Sequence, residues 1–217
     1  MWSKLKEQFN LLKLEKKRLY LVTNSDKFES KDIFLDAVAS ALQGGVDIIQ
    51  LREKNASDGV IVDLGSKIRM LCDEYGATFI VNDRLDIASI VEADGVHLGR
   101  NDIPISIARE YLGPQAIIGK TVTCQEEIDA ALRSGADYLS LGPVITDNTK
   151  IQSPVDMGLI SWANSNSEAP IFIFGEFDRR GISEITYNGG KRIIVSEDVM
   201  YAKSPEHTAR TILTYLP

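Results

Sequence analysis

Eight short apolar runs recur along this chain from residue 18 onward, and a longer stretch of helical period follows each of them. The runs are "RLYLVT" (18–23), "DIIQLR" (47–52), "TFIVN" (78–82), "DGVHL" (94–98), "AIIGK" (116–120), "DYLSL" (137–141), "PIFIF" (170–174) and "KRIIV" (191–195). Helical spacing lies near 31–43, 58–75, 84–91, 103–112, 124–134, 157–165, 179–187 and 205–215. Strands that are apolar on both faces need cover on both, which helices crossing between parallel strands provide. Eight such units predict an α/β fold, a closed (β/α)8 TIM barrel in a single domain. An open doubly wound sheet would carry a GxGxxG after its first strand, and this chain has none there. Ser204-Pro205 supplies a cap and a first-turn proline for the last helix, while "GGVD", "GADY" and "NGGK" place glycine where helices end.

Residues 18–217 are read as the barrel and residues 1–17 as an amphipathic helical extension, with Leu5, Phe9, Leu12 and Trp2 on one stripe. That stripe suits packing on the domain, and a membrane-surface or partner-binding helix is the other reading. The segment has acidic residues and no apolar signal core, and no run in the chain reaches transmembrane length. The formal charge of −7 argues against nucleic acid as a partner. Cys72 and Cys124 have no metal-type spacing and read as reduced thiols of a cytoplasmic protein.

In a barrel of this kind the chemistry sits at the carboxyl ends of the strands. Polar residues gather there around the predicted ring: Gln50, Arg52 and Lys54; Asn82, Asp83 and Arg84; His97 and Asp102; Thr121 and Thr123; Gly142 with the "TDNTK" loop; Gly175; and Ser196. Arg52 offers a planar fork and Lys54 a mobile charge for phosphate oxygens, unless both are spent in salt bridges at the barrel mouth. Asp83 and Asp102, at neighbouring strand ends, can share a hard cation such as Mg2+ or can cap the helices that follow. The "TDNTK" loop, with Thr149 and Lys150, can close over a ligand or lie in solvent. His97 suits a packed, hydrogen-bonded role as well as a catalytic one.

The segments "LYLVT", "GGVDIIQLREK", "FIVNDRLDIA", "EADGVHLG" and "GADYLSLGPV", with the spaced "TK", resemble the thiamine-phosphate synthase (thiamine-phosphate pyrophosphorylase) family over about residues 18–200. Thiazole tautomerases are the sister family. The resemblance implies a transferase of thiamine biosynthesis that joins hydroxymethylpyrimidine pyrophosphate to thiazole phosphate, releasing pyrophosphate with the help of Mg2+. It implies pyrophosphate contacts at Gln50, Arg52, Lys54, Asn82 and Lys150, with Thr149 beside them. Mg2+ ligands fall on Asp83 and Asp102, a hydroxyl near the pyrimidine on Thr121, and thiazole-phosphate contacts on Gly175 and Ser196. Catalytic roles fall on Arg52, Lys54, Thr121 and Lys150. The partners implied are these small molecules, without nucleic acid or membrane, in a chain compatible with a homo-oligomer.

Several positions depart from that pattern. Glu176 follows Gly175 where a second glycine is usual, and two unit charges about 4 Å apart repel by about 4 kcal/mol at an effective dielectric near 20. Glu176 is therefore expected to turn away, to pair with Arg179 or Arg180, or to be protonated. Asp147 replaces a hydroxyl residue, and "VSEDVM" replaces the small residues that follow Ser196. Arg100 stands where Gln is common and is expected to restore positive charge. Two other readings stay open: a non-catalytic or altered-specificity barrel that keeps one half-site, and a tautomerase. The latter's histidine position is Thr123 here.

Overall fold

The computed structural model describes residues 13–145, 154–176 and 178–217. Eight parallel strands close in sequence order: β1 (Leu19–Val22), β2 (Ile48–Leu51), β3 (Thr78–Asn82), β4 (Gly95–Leu98), β5 (Ile117–Val122), β6 (Tyr138–Ile145), β7 (Ile171–Glu176) and β8 (Ile193–Val195). Helices among the described residues are α1 (Lys31–Gln43), α2 (Asp58–Tyr75), α3 (Leu85–Ile90), α4 (Ile105–Leu112), α5 (Gln125–Arg133), α6 (Met157–Asn166), α7 (Arg179–Tyr187), α8 (Glu197–Met200) and α9 (Pro205–Leu213). The predicted barrel is the observed one. None of these helices is long and apolar enough to cross a membrane. Cys72 and Cys124 are free thiols.

Alternation along each strand sorts side chains into two cores. Outward residues such as Leu21, Ile49, Phe79, Val81 and Val96 pack under the helices. Inward ones form a separate cluster of Tyr20, Ile48, Ile80, Ile117, Tyr138, Phe172 and Ile194, which Leu14 joins. Tyr20, Tyr138 and Phe172 meet one another with ring centroids 5.4–5.9 Å apart. So much aromatic volume inside so narrow a ring requires small neighbours. A Cβ at Gly119 would stand 2.0 Å from the Tyr138 ring, and one at Gly95 would stand 1.8 Å from the Ile117 carbonyl oxygen.

The acidic residues that open three of the strands have a structural use that the sequence did not disclose. Asp47 Oδ2 accepts the backbone N–H groups of Arg18 and Leu19, Asp94 Oδ2 accepts that of Phe79, and Asp137 Oδ2 accepts that of Ile118. Each carboxylate thus satisfies a donor at the start of an earlier strand. Arg69 pairs with Asp94 at 3.0 Å and Arg109 with Asp137 at 2.6 Å. The predicted cap of the last helix forms, with Ser204 accepting from His207 N, and Asp178, not singled out from the sequence, accepts from Arg180 N and Gly181 N.

Two boundaries differ from expectation. The Gly142-Pro143 bend does not end β6: the strand resumes after a register shift and pairs with β7 as far as Ile145 and Glu176. The peptide between Gly142 and Pro143 is cis. The short α8 after β8 was not foreseen, because four residues cannot display a helical period.

Replacing Gly119 by Ala forces the Tyr138 ring to move and should lower stability by about 1–3 kcal/mol in urea unfolding. Gly59→Ala, at a helical site with nothing within 4 Å of the added carbon, is the control and should be neutral or stabilising. Equal stability of the Gly119→Ala and wild-type proteins would contradict this packing account.

Candidate active site

The parity that fills the barrel also decides which polar groups reach its carboxyl-end mouth. Val22 pairs with Gln50 and Gln50 with Ile80, while Asn82 pairs with His97 and His97 with Gly119. Thr121 pairs with Ser140 in the next register layer. Gln50, Asn82, His97 and Thr121 therefore share the inward parity. Gln50 is almost wholly buried, and its Nε2 donates to Tyr20 Oη at 2.7 Å. His97 is equally enclosed, with Nδ1 3.1 Å from Tyr138 Oη and Nε2 2.8 Å from Thr121 Oγ1. Burial pushes the His97 imidazole down to about 4, so the ring is neutral near pH 7. Of its two expected roles, the packed and hydrogen-bonded one is what these contacts display.

Arg52 and Lys54 follow β2 on the same rim, and the Arg52 N–H donates to Thr23 Oγ1 at 3.2 Å. Among the described residues neither cation has a carboxylate within salt-bridge distance, so the alternative of salt bridges at the mouth is not met. Glu53, between them in sequence, is half-buried and accepts from Ser25 Oγ at 2.5 Å, and burial raises its pKa above the ordinary value.

Asp83 and Asp102 come together: their carboxyls are hydrogen bonded to each other. Asp83 has φ 61°, a left-handed conformation that Asp tolerates better than most residues. Its N–H donates to His97 O at 3.0 Å, tying the β3 end to β4. Asp102 Oδ2 accepts Gly99 N–H at 2.5 Å, and Lys120 Nζ holds the Gly99 carbonyl at 2.6 Å. Burial and the neighbouring Asp102 raise Asp83 to about 6, whereas the hydrogen bond from Asp83 lowers Asp102. The opposite directions are those of two acids sharing one proton. Neither acts as the side-chain cap of the helix after it; α3 and α4 have no side-chain cap bond.

Among the described residues no group of three or more His, Cys, Asp or Glu gathers as a metal cage. The acidic seat consists of two carboxylates, and it fits a hard divalent cation. As pH rises through about 6 the shared proton leaves, and a cation can take its place between the two ionised groups, with Lys54 close enough to stabilise ionised Asp83.

Other expected members of the site are placed elsewhere. Arg84 binds Asp86 and Asp58 at 2.6 and 2.8 Å on the surface. Arg100 does not add free charge to the mouth, because Glu127 takes it at 2.8 Å. Thr123 gives both its N–H and its hydroxyl to Glu127. Ser196 Oγ donates to Val22 O at 2.8 Å, and Glu197 after it pairs with Lys27. Gly175 has a packing reason of its own, since a Cβ there would stand 1.9 Å from Val144 O. Glu176 is exposed, and among the described residues it pairs with neither Arg179 nor Arg180; Arg179 lies over the Tyr215 ring instead. Asp147, Thr149 and Lys150 lie outside the described residues, as do Trp2, Leu5, Phe9 and Leu12. A cleft of about 220 Å³ between α4 and α5 touches Lys120 and Thr121 but none of Arg52, Lys54 and Asp83. Sequence reasoning missed Tyr20, Tyr138 and Lys120; the tyrosines were visible as inward positions of "LYLVT" and "DYLSL", but their hydroxyl contacts were not.

The shared proton has a consequence for stability. Asp83 holds its proton more tightly folded than unfolded, so its contribution is full below 3.8 and is lost as pH rises through about 6. Asp83→Asn keeps the left-handed preference and removes that loss. Its melting temperature should exceed that of the wild type at pH 7.5, with the difference shrinking toward pH 4. A variant that melts lower than the wild type at pH 7.5 would contradict the shared-proton pair.

A family model described as thiamine monophosphate synthase matches residues 19–199. The thiamine-phosphate synthase of Nostoc sp. is 40% identical over 204 residues, which cover 94% of this chain and 57% of that protein. That of Shouchella clausii is 33% identical over 198 residues, 90% of this chain and 94% of the relative. The chain thus spans little more than half the length of the cyanobacterial relatives it matches. Among solved structures, thiamine phosphate pyrophosphorylase from Pyrococcus furiosus superposes with a TM-score of 0.82 at 32% identity, covering 94% of this chain and 96% of that one. A 3-hexulose-6-phosphate synthase, at TM-score 0.65 and 14% identity, shares the fold. The chain belongs to the thiamine monophosphate synthase family.

Proposed function

We propose that this chain is a thiamine-phosphate synthase, a transferase that joins hydroxymethylpyrimidine pyrophosphate to thiazole phosphate. The observation that carries this reading is the Asp83–Asp102 pair on the rim that also carries Arg52 and Lys54, two cations with no ion-pair partner among the described residues. Mg2+ held by Asp83 and Asp102 would neutralise charge on the diphosphate oxygens. Arg52 and Lys54 grip the leaving group, joined by Asn82 and by Thr149 and Lys150, which follow β6 in the sequence. Gln50 adds to the pyrophosphate contacts from the floor of the site, and Thr121 sets its hydroxyl beside the pyrimidine.

In the reaction the bond from the pyrimidine methylene to the diphosphate oxygen breaks, and its electron pair leaves with the diphosphate. The electron-rich aminopyrimidine spreads the positive charge left on carbon. The thiazole nitrogen then supplies its lone pair to form the new carbon–nitrogen bond. That nitrogen carries no proton to be removed, so the neutral, enclosed His97 need not act as a base. Fixed positive groups aimed at developing negative charge are worth about 10²–10³ in rate each. Gly175 and Ser196 are the contacts of this reading for the thiazole phosphate. The barrel of residues 18–217 is the catalytic unit, with residues 1–17 as an extension; the burial of Leu14 within the interior cluster supports such packing. Two free thiols suit a cytoplasmic setting.

A second reading, a barrel that binds diphosphate without turning over, is favoured by one feature. Glu176 stands exposed at the end of β7, where the thiazole phosphate would approach. The tautomerase reading loses ground because Thr123 is committed to Glu127.

With both substrates and Mg2+ the protein should yield thiamine phosphate and one equivalent of pyrophosphate. Arg52→Met should lower kcat/KM by about 10²–10³ without a matching fall in melting temperature. Binding of the pyrimidine substrate with no product at saturating substrates would refute the synthase and leave the second reading. In that event Glu176→Gly should strengthen thiazole-phosphate binding.

A further inference from the structure

Four contacts inside the barrel form an unbroken chain between Gln50 on β2 and Thr121 on β5. Gln50 Nε2 donates to Tyr20 Oη at 2.7 Å, and Tyr20 Oη lies 2.8 Å from Tyr138 Oη. Tyr138 Oη lies 3.1 Å from His97 Nδ1, and His97 Nε2 lies 2.8 Å from Thr121 Oγ1. Tyr20 and Tyr138 are fully buried, and Gln50 and His97 nearly so. Water cannot enter to repair a mismatched link, and a buried donor facing a donor forfeits its hydrogen bond.

The direction of the chain follows from counting protons. An amide nitrogen only donates, and a phenol has a single hydrogen. Since Gln50 gives its hydrogen to Tyr20, the Tyr20 proton is directed to its other neighbour, Tyr138. Tyr138 then gives its own proton to His97 Nδ1. A neutral imidazole that accepts at Nδ1 carries its hydrogen on Nε2, and that hydrogen points at Thr121 Oγ1. Among the described residues no carboxylate is bonded to either ring nitrogen to support a cation. Thr121 thus receives a hydrogen bond from below, and its own hydroxyl proton remains for the ligand above.

We infer that Tyr20, Tyr138 and His97 are positioning residues whose fixed hydrogen-bond polarity makes Thr121 a donor toward the substrate, so that the substrate atom at Thr121 is an acceptor such as an aromatic ring nitrogen. The tautomer follows from the protein alone, whereas the statement about the substrate rests on the proposed synthase reading. A pyrimidine satisfies that demand with a ring nitrogen, and a ring presenting C–H or N–H at that point would leave the Thr121 proton unpaired. Specificity of this kind arises from the penalty on the wrong ligand, as expected where a buried polar group must be matched.

The test reads the tautomer directly. Protein labelled with 15N-histidine, without substrate at pH 7, gives long-range proton–nitrogen correlations for only two rings, His97 and His207, and His207→Gln assigns them. The expected result is a neutral His97 protonated on Nε2, with Nδ1 carrying the signature of a hydrogen-bond acceptor. In Tyr138→Phe the Nδ1 signal should move toward that of a free nitrogen. Should that variant not fold, Thr121→Val should instead perturb the Nε2–H signal alone. A His97 protonated on Nδ1, exchanging between tautomers or doubly protonated overturns the inference.

The second arm compares binding of the pyrimidine pyrophosphate with that of its two pyridine analogues, each having one ring nitrogen replaced by C–H. One analogue should bind the wild type at least about tenfold more weakly, and Thr121→Val should erase that preference while Thr121→Ser keeps it. Equal binding of all three ligands to the wild type overturns the assignment of Thr121 as donor. Because the first arm uses no substrate, an inactive protein still decides the tautomer, and loss of the synthase reading is distinguishable from loss of this one.

Discussion

The interior of a closed eight-stranded ring has to be filled, and this chain fills it with rings that carry hydroxyls. Tyr20, Tyr138 and Phe172 occupy the centre, and Gly119 gives up its side chain to make room for the Tyr138 ring. Burying two phenols obliges each to find a partner, since an unpaired hydroxyl in such surroundings costs about 1–3 kcal/mol. The partners lie one layer up, at Gln50 and His97. The floor of the site is in this sense a by-product of core packing: the same bonds that satisfy the tyrosines hold an amide, an imidazole and a threonine hydroxyl in place under the mouth.

Above that floor the mouth is electrostatically divided. On the side of β2, β3 and β4, cations without an ion pair among the described residues face two carboxyls that give up their shared proton as pH rises through about 6, an arrangement suited to taking up a polyanion together with a divalent cation. Nearby, Lys120 and the Gly99 backbone hold Asp102 in position. On the side of β7 and β8 positive charge is scarcer. Glu176 is exposed there, Arg179 is drawn to Tyr215, and Ser196 spends its hydroxyl on the β1 backbone. A small phosphate arriving on that side would depend on backbone N–H groups more than on side chains.

Much of the fold was legible because strand parity and helical period are local signals. Every predicted strand and helix of the barrel has an observed counterpart within a few residues. The exceptions have physical causes: β6 passes through Gly142-Pro143 by shifting register, and α8 is too short to show a period. At the site, position at a strand's carboxyl end marked Gln50, Asn82, His97 and Thr121, and adjacency of β3 and β4 brought Asp83 to Asp102. Parity could not reveal which surface carboxylate captures a long side chain. Arg84 and Arg100, counted toward the mouth from sequence, are held by Asp58, Asp86 and Glu127, contacts set by how neighbouring βα units pack. For the same reason the strand-opening acids Asp47, Asp94 and Asp137 gave no sign that they bind an earlier strand.

The central claim is that Arg52, Lys54, Asp83 and Asp102 form one receptor for a diphosphate carried with a divalent cation. Calorimetric titration of inorganic diphosphate into the protein, with and without Mg2+, tests it most directly. The account predicts that Mg2+ strengthens binding by at least about tenfold and that Asp102→Asn removes this gain. Binding of equal strength with and without Mg2+, or an undiminished gain in Asp102→Asn, would contradict it.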